Sequence, residues 1–151
     1  MDHASAALEL FYKGYNCSQA VFAAFYDDMN IELPFALKLS QGLGGGVSRF
    51  RESCGAFTAA SLVISFLYGS DDPSHDAKCQ LYARVQEAMM PFKARYGTFV
   101  CRELLGEEYS EVPSMPSERN AGFYASRPCP EIIRYTAELL DEYIKTHQNT
   151  P

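Results

Sequence analysis

No Cys-x-x-Cys pair occurs in the 151 residues, although five cysteines do. That absence removes the local spacing on which thioredoxin-like and zinc-ribbon sites rely. The odd number of cysteines argues against a framework built only of disulfides. Positive charge is scarce too: 13 Lys and Arg stand against 19 Asp and Glu, giving a net charge of −6 and a pI near 5.0. No basic run exceeds the pair Arg49 and Arg51, so the clustered cations that phosphate contacts require are missing and no nucleic-acid partner is expected. No apolar run reaches the roughly 18–20 residues of a membrane span. The best stretch, Ala56 to Tyr68, is too short and holds Thr58, Ser61 and Ser65. The opening "MDHASAALEL" has neither a basic leader nor a signal-peptide core. These absences predict a cytoplasmic protein, where cysteines stay reduced unless they are catalytic, redox-sensing or metal-bound. Hairpin signals and internal repeats are lacking as well.

What is present is a helical period almost throughout. The pattern predicts one all-α domain over residues 1–151, a bundle of about six or seven helices with no significant sheet. Ala6, Leu10 and Tyr12 mark a short first helix ended by Gly14. Asn16 is a good N-cap, and Gln19 three residues on completes a capping box for a second helix with Val21, Phe22, Phe25 and Met29 on its apolar stripe. A third helix opens at Pro34 and stops at the glycines. A fourth runs from about Ser53 to Tyr68. A fifth follows Ser74 with Leu81, Val85, Ala88, Met89, Phe92 and Tyr96 on one face, and Pro91 inside it is expected to kink or interrupt it. A brief sixth lies between Thr98 and Gly106. Residues 107–128 read as an irregular loop, and a last helix starts at "CPE" and runs to about Thr146.

Four of the five cysteines fall in the opening turn of a predicted helix: Cys17 after Asn16, Cys54 after Ser53, Cys101 after Thr98, and Cys129 before Pro130. Helix N-termini carry partial positive charge and unpaired N–H groups, which favour a thiolate. A cysteine placed there can serve as a nucleophile, a redox thiol or a metal ligand. The ordinary alternative is a small buried hydrophobe, and Cys79 is read that way or as surface. Cys54 draws the strongest expectation of reactivity. Gly55 leaves its flank open, Gly44, Gly45 and Gly46 could bring backbone N–H groups close, and Arg49 and Arg51 could add charge.

Rival constellations are weaker. "GLGGG" follows a helix rather than a strand, so it is no dinucleotide fingerprint. His3, His75 and His147 lie far from the four cysteines in sequence. Glu52 and Glu103 sit beside candidate cysteines, but acidic residues at helix starts are usually solvated partners of the dipole. Phe123, Tyr135 and Tyr143 read as packing aromatics rather than a cofactor box.

The segments "YNCSQAVFAAF", "GLGGGVSRFRESCGAFTAA", "YGTFVCRELLG" and "CPEIIRYTAELL" together resemble the C_GCAxxG_C_C family of redox-active proteins, with its four characteristic cysteines and Cys-Gly-Ala-x-x-Gly motif. The resemblance spans about Asn16 to Leu140. The closing glycine of the motif is Ala59 here, a departure expected to crowd helix packing. The resemblance implies that Cys17, Cys54, Cys101 and Cys129 form one redox site. Three readings follow. A thiol oxidoreductase would use Cys54 as nucleophile and a second cysteine to resolve it as a disulfide. An electron-transfer protein would hold a metal ion or iron–sulfur cluster on the four thiolates. A binding or structural module would keep its cysteines in the core. A redox partner protein and a homo-oligomer are compatible with the first two readings.

Overall fold

The computed structural model describes residues 2–106 and 118–148. Eight right-handed helices account for most of the described chain: α1 His3–Tyr12, α2 Cys17–Ala24, α3 Leu33–Ser40, α4 Gly55–Tyr68, α5 His75–Tyr96, α6 Cys101–Leu105, α7 Ala121–Ser126 and α8 Cys129–Thr146. No strand forms among the described residues. One antiparallel bridge joins Ser53 to Val100. The all-α expectation holds.

Helix α2 is the axis of the fold. Every residue from Ser18 to Ala24 is buried, and α1, α3, α4 and α8 all pack on it. Small side chains permit this: Ala20, Ala23 and Ala24 on α2 and Gly55, Ala56, Ala59 and Ala60 on α4 are all buried. Ala59, which replaces the motif glycine, is fully buried on α4. The capping box is present, with the Asn16 side chain accepting from the Gln19 N–H and the Gln19 side chain accepting from the Asn16 N–H. Gln19 then donates its amide to the Leu37 carbonyl, which satisfies a polar side chain inside the core.

Helix α8 buries Ile132, Ile133, Thr136, Ala137, Leu140 and Tyr143, an i, i+4, i+7 stripe, against α1, α4 and α5. Helix α5 is far more exposed and buries only Ala88, Met89 and Phe92. Arg84 ties it down by donating to the Tyr143 hydroxyl at 3.2 Å and lying over the Tyr68 ring.

Three expectations need correction. Pro91 does not interrupt α5, which runs unbroken from His75 to Tyr96. Both Pro91 and Glu87, the residue whose carbonyl loses its intrahelical donor, lie on the exposed side, where water can take that acceptor. Helix α4 starts at Gly55, so Cys54 rather than Ser53 is its cap residue. The loop expected over residues 107–128 contains helix α7, capped by the Asn120 side chain. Its Phe123 and Tyr124 pack on Phe11, and the Arg119 guanidinium covers the Phe11 and Phe123 rings, each at 4.6 Å. Residues 107–117 of that expected loop lie outside the described residues. No helix among the described residues is long and apolar enough to cross a membrane.

Candidate functional site

The four cysteines of the sequence reading are brought together. Cys17 is the first residue of α2, Cys101 of α6 and Cys129 of α8, while Cys54 caps α4. All four line one cavity with Gly55, Ala56, Leu104, Leu105, Ile132 and Ile133. The cavity is narrow, with a volume of about 20 Å³. Cys79 is elsewhere, exposed on the first turns of α5, where its sulfur lies 3.4 Å from the His75 Nε2.

Glycines let these helix starts converge. A Cβ on Gly55 would stand 2.5 Å from the Cys17 sulfur, so α4 can approach α2 only because position 55 has no side chain. Gly46 is equally constrained. Its φ is +67, and an added Cβ would lie 2.6 Å from the Cys101 Cβ and 2.7 Å from the Glu52 nitrogen.

Gly46 belongs to an uncommon element. Gly45, Gly46, Val47, Ser48 and Arg49 have φ of 68, 67, 65, 49 and 69 in succession, a left-handed turn, and Arg51 follows with 59. Left-handed backbone costs an L-residue about 1–2 kcal/mol, and surrounding bonds must hold it. The Arg51 N–H donates to Gly45, the Glu52 N–H to Gly46, and the Phe50 N–H to Val47. The segment then pairs with the approach to α6: the Cys54 N–H donates to Phe99, the Cys101 N–H to Glu52 and the Arg102 N–H to Arg51. Phe57 stacks on Phe99 at 4.4 Å and pins that pairing to the core. The turn therefore sets where both Arg51 and Cys101 stand.

Electrostatics separate the thiols. Burial pushes the Cys17 thiol up, opposed by N–H groups of Gly45, Ser18 and Gly55 directed at its sulfur. Cys54 is 7% exposed, and burial raises its thiol strongly. A charge on Cys17 would raise it further, and the Phe57 and Ala56 N–H groups oppose that. Cys129 is pushed up to about 12 by burial and by its neighbours Cys17 and Cys101, with Arg127 and Arg119 pulling the other way. Cys17 and Cys129 thus each neighbour the other three sulfurs, while Cys54 and Cys101 each neighbour only those two. Cys101 has a different companion: the Arg51 Nη1 donates to its sulfur at 3.7 Å.

This geometry redirects several expectations. The guanidinium expected beside Cys54 lies on Cys101, and Cys54 is the most enclosed of the four. None of Gly44, Gly45, Gly46 and Arg49 lines the cavity, and of the five residues expected to bind a cofactor only Gly55 does. Gly44 abuts the Asn16 side chain, Gly46 backs Cys101, and Gly45 alone of these three sends an N–H to a sulfur. No group of three or more His, Cys, Asp or Glu side chains among the described residues stands in an arrangement for holding a metal ion. The sequence reading missed the aliphatic wall. Leu104 and Leu105 follow Cys101, and Ile132 and Ile133 follow Cys129, at i+3 and i+4, the spacing that puts them on the face of their cysteine.

Comparison with known proteins adds one match. The model of the family described as "Putative redox-active protein (C_GCAxxG_C_C)" matches residues 15–143. The chain belongs to this family. The C_GCAxxG_C_C match takes in all four cavity cysteines, and Cys79 between them. No curated protein and no solved structure matches the chain.

Proposed function

We propose that the protein is a thiol–disulfide redox protein whose working groups are Cys17, Cys54, Cys101 and Cys129. The observation that carries this reading is their convergence on one cavity from the starts of four separate helices. Two neighbouring thiols can give up two electrons and two protons and join as a disulfide, and a reduced partner can return them. The aliphatic wall suits that chemistry because it keeps water and other oxidants from buried sulfurs. The N–H groups directed at Cys17 and Cys54 offset part of the cost of a transient thiolate there.

The test is redox titration of the purified protein in a graded thiol–disulfide buffer, followed by mass spectrometry of blocked thiols. Reversible loss of two thiols within the cavity set, with Cys79 unaffected, supports the reading. Metal and sulfide analysis of anaerobically prepared protein runs beside it. Stoichiometric iron or zinc would instead make the four cysteines ligands. Four thiols that neither oxidise nor bind metal would make them core residues.

A further inference from the structure

Resting on that thiol–disulfide reading, we infer that Cys101 is the thiol that attacks an incoming disulfide, that Arg51 meets the charge on its sulfur, and that Cys17 resolves the mixed disulfide. Three observations converge on this order.

First, Cys101 has a guanidinium in hydrogen-bond contact, 3.7 Å from its sulfur. Negative charge develops on the attacking and leaving sulfurs during exchange, and a fixed cation there acts where the charge appears. Arg127 and Arg119 also favour charge on Cys129, whereas the charge neighbours of Cys17 and Cys54 are other cysteines.

Second, Arg51 is held for this position. Its backbone is left-handed at φ 59, its N–H donates to Gly45, and its carbonyl accepts from both the Arg102 N–H and the Arg102 Nη1. A strained backbone fixed from both sides beside a reactive atom is the usual place for strain to persist.

Third, the sulfurs are ordered. Cys101 neighbours Cys17 and Cys129 but not Cys54, which is the most enclosed. Three backbone N–H groups meet the Cys17 sulfur.

The chemistry balances without a further reactant. The Cys101 sulfur gives its proton to solvent and bonds to one sulfur of R–S–S–R′. The R–R′ disulfide bond breaks, and R′–S⁻ leaves and takes up a proton. The Cys17 thiol then gives up its proton and its sulfur attacks Cys101, R–S⁻ leaves and takes up a proton, and a Cys17–Cys101 disulfide remains. The protein loses two electrons and the substrate becomes two thiols. The substrate class is a disulfide reaching the cavity mouth from solvent, on a small molecule or on a protein.

The experiment uses the full reduced chain and its Cys17→Ser variant, exposed in parallel to oxidised glutathione and to disulfide-bonded insulin. Adducts are located by peptide mass mapping. We expect the variant to accumulate a mixed disulfide at Cys101 in at least one arm, the faster arm marking the source of the natural disulfide. The unaltered chain should pass on to a Cys17–Cys101 disulfide. Arg51→Ala should slow adduct formation about tenfold, the scale of a charged hydrogen bond, while Arg51→Lys restores most of the rate and Cys79 labelling stays constant. Should Cys17→Ser fail to fold, rapid quenching of the unaltered chain reads the same first adduct. A first adduct at Cys54 or Cys129, or an Arg51→Ala rate equal to that of the unaltered chain, overturns the assignment while leaving the broader reading intact. No adduct at any cavity cysteine in either arm overturns both.

Discussion

Two helix starts in this molecule carry cysteines in very different circumstances. At the cysteine pole, α2, α4, α6 and α8 begin around one cavity, and their sulfurs face one another among buried aliphatic groups. At the start of α5, Cys79 sits exposed beside His75 and outside that cavity. Local sequence is similar at both, since each helix is a short-range consequence of caps and period. The difference is tertiary: at the pole the thiols are buried and have other thiols for neighbours. A helix start can favour a thiolate, yet at the pole burial pushes the Cys17, Cys54 and Cys129 thiols up.

The sharpest way to break this comparison uses two glycines of like backbone. Gly46 and Gly97 have φ of 67 and 74, but an added Cβ meets Cys101 and Glu52 at Gly46 and open space at Gly97. Gly46→Ala should cost about 3 kcal/mol, left-handed strain plus overpacking, and Gly97→Ala only about 1 kcal/mol. Urea midpoints of the two variants measure the gap. Equal losses would mean that crowding at the pole relaxes freely.

The next effect is a gain. Pro91 denies α5 one hydrogen bond on its exposed side without breaking the helix. Pro91→Ala should therefore stabilise the protein by about 2 kcal/mol, visible as a higher thermal midpoint. A neutral or destabilising result would show that the proline ring packs usefully.

A pH series tests the burial of the pole. The Cys129 thiol is held near about 12 in the folded chain, against about 8.5 when unfolded. The folded state keeps this proton over an interval in which the unfolded state releases it. The stabilising contribution is thus complete below pH ~8.5 and is lost as pH rises toward the folded value, at up to ~1.4 kcal/mol per pH unit. Denaturation of reduced protein between about pH 7.5 and pH 10 should show this decline. Cys129→Ala should make it shallower.

Labelling gives the smallest effect. Iodoacetamide at neutral pH should modify exposed Cys79 about tenfold faster than buried Cys54, read by mass spectrometry at each site. The reverse order would restore Cys54 to the reactive role that its sequence context suggested.

Much of the fold was legible because it is local. Asn16 with Gln19, Ser74, Gly97, Gly106 and Pro130 mark helix ends through backbone bonds made within a few residues, and the observed ends fall beside them. Helix α7 escaped because its six residues show no periodic stripe, and its aromatics are held by α1, distant in sequence. The four cavity cysteines were singled out by their helix-start positions and by a family resemblance. Their ranking was not legible, because Arg51 reaches Cys101 across fifty positions through a turn whose hand no propensity at Val47, Ser48 or Arg49 would suggest.

Sequence alone therefore determined the helices, their caps and the identity of the candidate thiols, since hydrophobic period and end-capping act over one or two turns. The tertiary structure alone decided that four helix starts meet, that Cys17 and Cys129 each neighbour the other three sulfurs, and that the guanidinium belongs to Cys101 rather than Cys54. Burial, thiol repulsion and cation contact depend on distances between residues remote in the chain, and packing around the missing side chains of Gly46 and Gly55 sets those distances.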